Sequence, residues 1–433
     1  MAAKLDSGVM YVIRRKSIIV FLLYALVCMC ILLPTGSIYK INVKIITTVF
    51  LVFVILFDLF QRNSFDMRVV LISIYSAVFI SLSWFIAVFK DVELSSSLTH
   101  IMAILSVLII VFSAQYSIKN KYLNNKSYLI FVVIVFSIYS FGKVFVAVLF
   151  MLNIVNSIEV LMVIDNVFGY QGISLSNNIA TRINFPIDFL APGIIFFTIN
   201  YRSFDIKISK IIKFSILFVV FLSVIVSYSR FLWAISALSF LISLLCTLHK
   251  GKIVIIKNIL IYSVCVLAFF VTISFIGFDT VVQFVENRYT GNYADESDSF
   301  RVLMSNALYP MFYSNPVFGN GLGAYSSELI RFDDIKWNYE LEWLASLMQF
   351  GIFGMLHVLI VLVAVIVQIN KKIRLVSLGI TCVLILFLSV GFFNCFLLTS
   401  SSGVIFSQIM IMASRYAEIS DTRTSEKNKP NIL

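Results

Sequence analysis

Apolar positions along this 433-residue chain gather in long unbroken runs separated by short polar stretches. The runs predict transmembrane helices at 17–33, 43–60, 68–89, 98–114, 128–152, 187–200, 212–227, 231–248, 258–277, 339–367, 375–393 and 396–414. Each approaches the roughly 20 residues that a helix needs to cross about 30 Å of hydrocarbon. Barrel strands would alternate apolar and polar residues over about ten positions, and these runs do not. A helix also pairs its own backbone polar groups inside lipid. The sixth run is short and contains Pro192, so it reads as kinked, re-entrant or the tail of a longer element. The pattern predicts an all-α, polytopic membrane protein forming a single transmembrane domain over 1–433.

Two connections stand out by length, 153–186 and 278–338, and both fall on the same side of the membrane. A loop of that size in a compact membrane protein is expected to be functional. Within the second, Ser299, Arg301, Ser305 and Asn306 interleave with Phe300, Val302, Leu303 and Leu308, a pattern predicting an amphipathic surface helix. The polar tail 415–433 reads as disordered. No internal repeat, low-complexity segment or soluble domain is visible.

Charge orients this scheme. With a cytoplasmic N-terminus, twenty-three of the 33 Lys and Arg residues fall on the termini and cytoplasmic loops, nine on the outer loops, and Lys143 within a span. The positive-inside rule therefore places both termini in the cytoplasm and the long loops outside. The net charge of +11 follows from this orientation and gives no reason to invoke nucleic acid. A hydrophobic share of 60% against 13% charged residues excludes an ordinary soluble domain. The six cysteines lie in or at the ends of spans without CxxC spacing and read as packing residues. Neither a zinc site nor a histidine base can be drawn from His100, His249 and His357.

Candidate chemistry lies on the outer side. Arg230 opens the eighth span in Ser227-Tyr228-Ser229-Arg230-Phe231-Leu232-Trp233. It either faces an anionic partner or snorkels to headgroup phosphates. Arg301 sits on the amphipathic segment, and Arg288 precedes it. The run Asn315-Pro316-Val317-Phe318-Gly319-Asn320-Gly321-Leu322-Gly323-Ala324-Tyr325 formally matches GxGxxA but lacks the βαβ context of a dinucleotide site. It reads as a plain turn or as one whose backbone N–H groups meet an anionic or sugar ligand, with Gly319, Gly321, Gly323 and Tyr325 as contacts. Glu340 and Glu342 enter the next helix pointing about 200° apart, with Glu340 on the face of Trp343, Leu344 and Leu347. They serve as N-terminal capping charges, or one faces a site. Trp337 and Trp343 look like interface-belt residues. Arg182 either pairs with Asp188 or meets ligand, and Lys143 either snorkels or has a functional role.

The order of these elements resembles the O-antigen ligase and polymerase superfamily. The resemblance covers Ser227 to Gly354: Ser-Arg at a span start, an Arg-bearing helix, Asn-Pro-x-x-Gly-x-Gly-x-Gly-x-Tyr, then a helix with Gly-Ile-x-Gly. Arg182 and Gly193 also match the Arg-x10-Gly pattern of some Wzy-type polymerases, whereas ten residues after Arg288 bring Ser299. Ligases of the superfamily carry His about eleven residues before the glycine of Gly-Ile-x-Gly; here Glu340 stands there, which favours a polymerase. The resemblance implies a GT-C-like, metal-independent inverting glycosyltransferase with no cofactor, polymerising undecaprenyl-diphosphate-linked repeat units into O-antigen or a related surface polysaccharide. It implies the bacterial inner membrane with a periplasmic active face, donor and acceptor lipid-linked glycans as partners, and a chain-length regulator and flippase alongside. Arg230 and Arg301 would bind the diphosphates, Glu340 would act as base, and Arg182 would steer the acceptor. The alternatives are an O-antigen ligase or other O-oligosaccharyltransferase, and a flippase for the same lipid.

Overall fold

A computed structural model describes residues 2–33, 37–38, 41–62, 67–151, 173–176, 179–248, 292–331, 333, 335–371 and 374–427. The chain is a helical bundle. Its helices are α1 (Ala2–Leu32), α2 (Val43–Arg62), α3 (Met67–Phe89), α4 (Leu94–Lys119), α5 (Asn125–Met151), α6 (Ala191–Asn200), α7 (Lys210–Val226), α8 (Arg230–Leu248), α9 (Asn292–Ser314), α10 (Glu342–Ile369), α11 (Leu375–Leu388) and α12 (Ser400–Lys427). Among the described residues two small antiparallel ribbons accompany them: β1 (Ser37–Ile38) with β2 (Ile41–Asn42), and β3 (Ile173–Ser176) with β4 (Ile179–Ile183).

Among the described residues seven helical stretches are long and apolar enough to cross a membrane. They lie in α1, α2, α4, α5, α8, α10 and α11, and a shorter apolar stretch, Tyr75–Phe89, lies in α3. The expected span 258–277 lies outside the described residues, as do residues 153–172 and 278–291 of the two long loops.

The sixth expected span is an interior element. Helix α6 has ten residues, each of them buried, flanked by 3-10 turns at Pro186–Leu190 and Tyr201–Phe204. At 1.5 Å per residue it covers about 15 Å, half the hydrocarbon thickness. It packs against α8, α7, α11 and α12. Gly193 allows that closeness, since a Cβ there would lie 2.6 Å from Gln408 Oε1.

The last helix corrects a further expectation, because residues 415–427 of the polar tail continue α12. Arg415 pairs with Asp205 and Glu418, each at 3.3 Å, and Asn125 donates to Glu418 at 2.7 Å. These contacts lie at the end of the bundle where Tyr116 and Tyr122 both donate to the buried carboxylate of Asp58. The candidate site occupies the opposite end.

Helix α10 is broken near its start. Gly351 takes φ 64°, ψ −173°, so the intrahelical ladder is interrupted there. The connection after α9 repairs the gap. Met348 and Gln349 carbonyls accept the N–H groups of Asn320 (3.0 Å) and Gly321 (2.8 Å), while Ile352 and Phe353 donate to Pro316 and Val317 (2.9 and 3.0 Å). Irregular backbone at membrane depth is stable only when such groups find protein partners.

Candidate functional site

The repaired break explains the glycine cluster. Gly319, Gly321 and Gly323 have φ of +74°, +92° and +80°. A Cβ on them would lie 2.3 Å from Gln349 O, 2.3 Å from Ala87 N and 2.5 Å from Ser97 N, respectively. The turn is thus wedged between α10, the end of α3 and the start of α4. Its N–H groups are spent inside the protein: Gly319 donates to Asn315 O, Leu322 to Ser83 O and Gly323 to His100 Nδ1 (2.9, 3.2 and 3.0 Å). The expected reading, in which backbone N–H groups meet a ligand, therefore loses its donors. These glycines act here through packing.

Around the turn, polar side chains lock the connection to the bundle. Ser96 and Ser97 donate to Gly323 O and Leu322 O (2.6 and 2.8 Å), and Gln349 donates to Ala324 O and Trp337 O (3.0 and 3.2 Å). Trp337 stacks on His100 at 4.1 Å and donates to Thr99, and Trp343 donates to Leu388 O at 2.9 Å. Trp337 is buried and Trp343 partly buried, and each anchors its segment through its indole N–H. Tyr325 donates to Glu93 (3.0 Å), which also accepts from Lys336 (2.7 Å) and Ser95 (2.6 Å). The Lys336 bond, ahead of those from Ser95 and Tyr325, pulls the Glu93 carboxyl down to about 2, and the same bond raises Lys336. Tyr325 is thus engaged in a surface latch. Tyr339, wholly buried, accepts from Ser326 N and donates to Leu329 O, and burial raises its hydroxyl pKa.

This frame aims Glu340. Helix α10 begins only at Glu342, so Glu340 stands in the bend before it and the expected shared helical face does not form. Its two oxygens are clasped separately: Arg301 Nε lies 3.3 Å from Oε2 and Arg331 Nη2 lies 2.5 Å from Oε1. All three side chains are partly exposed, at 24%, 26% and 18% for Arg301, Arg331 and Glu340. The arginine carbons sit over rings, Arg301 on Phe393 at 6.0 Å and Arg331 on Phe300 at 5.4 Å. Glu342 points elsewhere. Buried, it accepts the N–H groups of Leu397 and Leu398 (2.8 and 2.9 Å), tying the connection before α12 to the start of α10.

Arg230 belongs to the same end of the bundle. Phe231, beside it, lies 4.9 Å from the Phe393 ring that underlies Arg301. Arg230 is half-buried as the first residue of α8 and makes no ion pair or hydrogen bond with a described residue. Lys143 is not placed to meet a ligand. Its ammonium lies 2.8 Å from Asp188 Oδ2, with both side chains at most 2% exposed, and Asp188 also accepts from Tyr139 and the Phe185 N–H. Asp188 therefore pairs with Lys143, which corrects the one of the two readings of Arg182 that paired it with Asp188. Arg182 lies on β4 opposite Ser174, its side chain outside the described residues, as is all of Arg288. Among the described residues no group of three or more His, Cys, Asp or Glu side chains is placed to hold a metal ion.

Arg331 is the residue sequence reasoning misses. Nothing in its spacing marks it among the outer-loop cations; the Tyr339 bonds to Ser326 and Leu329 fold the segment back so that it meets Glu340.

Fold and site together define a multi-pass helical membrane protein with a carboxylate–arginine cluster at one end of its bundle. In comparisons with known proteins, no family model, no curated protein and no solved structure matches the chain.

Proposed function

We propose that this chain polymerises isoprenyl-diphosphate-linked oligosaccharide repeat units, of the undecaprenyl type, at the periplasmic face of the bacterial inner membrane. The observation that carries the reading is Glu340 held between Arg301 and Arg331, with Arg230 at the same end of the bundle and in no ion pair with a described residue. Planar guanidinium forks suit diphosphate oxygens and keep their charge at any working pH.

In this reading the acceptor sugar hydroxyl attacks the anomeric carbon of the donor. A C–O bond forms, the C–O bond to the diphosphate breaks, and its electron pair stays on the diphosphate oxygen. The arginines stabilise that growing charge, and Glu340 takes the hydroxyl proton. A carboxylate clasped by two guanidinium groups is a poor base. The arriving diphosphate, with more negative charge than one carboxylate, competes for both arginines and releases Glu340 to act. Arg331 thus joins Arg301 and Arg230 as a catalytic residue, while Arg182, Arg288, Gly319, Gly321, Gly323, Tyr325 and Lys143 carry no catalytic step.

The test is incubation of purified protein with a lipid-linked repeat unit and separation of products by size. Wild type is expected to give a ladder. Arg301→Ala and Arg331→Ala should each lower turnover by about 10²–10³-fold, the usual loss of one preorganised charge-stabilising group. Glu340→Gln should abolish elongation while leaving the fold intact. With lipid A core added as a second acceptor, a single transfer onto it and no ladder would indicate a ligase instead, and an undiminished ladder from Arg301→Ala would overturn the assignment.

A further inference from the structure

A second feature of the loop end is separate from the arginine cluster. Between α3, the kinked part of α10 and the turn at 314–319 runs a groove of about 690 Å³. Its walls are mostly rings: Phe79, Phe85 and Phe89 from α3, Phe318 from the turn, and Phe350 and Phe353 from α10. Several face outward, with Phe85, Phe89, Phe318 and Phe353 more than half exposed. Along α3 from Phe79 to Lys90 the groove runs about 16 Å at 1.5 Å per residue. That is about half the hydrocarbon thickness, the depth of one leaflet.

Its polar end is built differently. Lys90 donates to Asn315 Oδ1 at 2.7 Å, and Asn315 is held by Asn320 at 2.8 Å. The partner of Lys90 is therefore neutral, and no described carboxylate lies within ion-pair distance of the ammonium. A cation, with Ser314 beside it, thus caps an apolar slot one leaflet deep.

We propose that this groove holds the hydrocarbon chain of an isoprenyl-diphosphate lipid, with Lys90 against its phosphates. The ammonium at the mouth is drawn more strongly to a diphosphate than to the single phosphate of a bulk phospholipid, and the methyl branches of an isoprenoid pack well on ring edges. This rests on the polymerase reading and deepens it, since a second lipid-linked glycan must be held while the first reacts. The groove abuts the backbone repair at Gly351, because Pro316 and Val317 both line it and accept the N–H groups of Ile352 and Phe353.

The experiment is photolabelling of the full-length protein in phosphatidylcholine discs with a diazirine-bearing farnesyl diphosphate, followed by peptide mapping. Label is expected on peptides containing Phe79–Lys90 and Asn315–Gly319, displaced by unlabelled farnesyl diphosphate and not by phosphatidylglycerol. Lys90→Ala should weaken labelling about fivefold, as for one cation near a lipid phosphate. Val317→Trp, at an exposed wall position, should block it. Equal displacement by phosphatidylglycerol, unchanged labelling in Lys90→Ala, or label absent from both peptides overturns the groove. A glycan ladder without groove labelling condemns the groove alone, and groove labelling without a ladder condemns the polymerase reading alone.

Discussion

At the scale of single residues, Gly321 and Glu93 control how the long connection before α10 is held. Gly321 sits at φ +92° and a Cβ on it would lie 2.3 Å from Ala87 N, so a side chain there meets both an unfavourable dihedral and a collision. The left-handed conformation alone costs a non-glycine residue about 1–2 kcal/mol. Gly321→Ala is expected to lower the thermal midpoint measured in detergent by at least that equivalent, whereas Gly142→Ala, with nothing within 4 Å of its built Cβ, should not. Glu93 has its carboxyl at about 2 in the fold against an ordinary 4.5. A depressed acid of this kind contributes fully above about pH 4.5 and loses its contribution as pH falls toward 2. Amide exchange of 326–336, corrected for intrinsic rates, should therefore be slower in wild type than in Glu93→Gln at pH 6. Near pH 2 the two should converge.

Elements show which parts of the architecture can be read from residue types. The apolar runs mark the long helices, because a lipid-facing helix must be apolar along its length. The same runs cannot tell α6 from a span, because a ten-residue helix buried inside the bundle has the same composition as one facing lipid. Arg230, Arg301 and Glu340 are legible because charged residues at a membrane boundary are costly and few. Arg331 is not, since its contact depends on how 325–339 folds back. The Gly-Ile-x-Gly element is visible as sequence, but its use, a helix break at Gly351 filled by an earlier connection, needs three-dimensional pairing. Lys143 and Asp188, both visible as charges in or beside apolar runs, turn out to be an internal strut between α5 and the turn before α6. Breaking a buried pair by removing one partner costs about 3–5 kcal/mol, while replacing both is far milder. Lys143→Met should therefore destabilise more than Lys143→Met with Asp188→Asn, a comparison that thermal unfolding in detergent would read directly. Equal losses would mean that the charges do not depend on each other.

For the whole molecule, two polar ends face opposite ways along the bundle. One carries Arg301, Arg331, Glu340 and Lys90; the other carries Asp58, Lys126, Asp205 and Arg415. In the proposed function the first faces the periplasm, the side to which the distribution of lysine and arginine points. In a cysteine-free background, Asp333→Cys should react with a membrane-impermeant thiol reagent added to spheroplasts, and Lys119→Cys only after permeabilisation. The reverse pattern would remove the site from the face where lipid-linked glycans are polymerised.

The break at Gly351 also bears on how the chain is made. The strand of backbone that fills it, Pro316 to Gly321, is synthesised before α10 itself. When α10 enters the bilayer, the partners for its interrupted ladder have already emerged, so the helix can leave the insertion machinery without carrying unsatisfied amides into lipid. A chain lacking that upstream segment would present the same apolar helix with its defect uncovered.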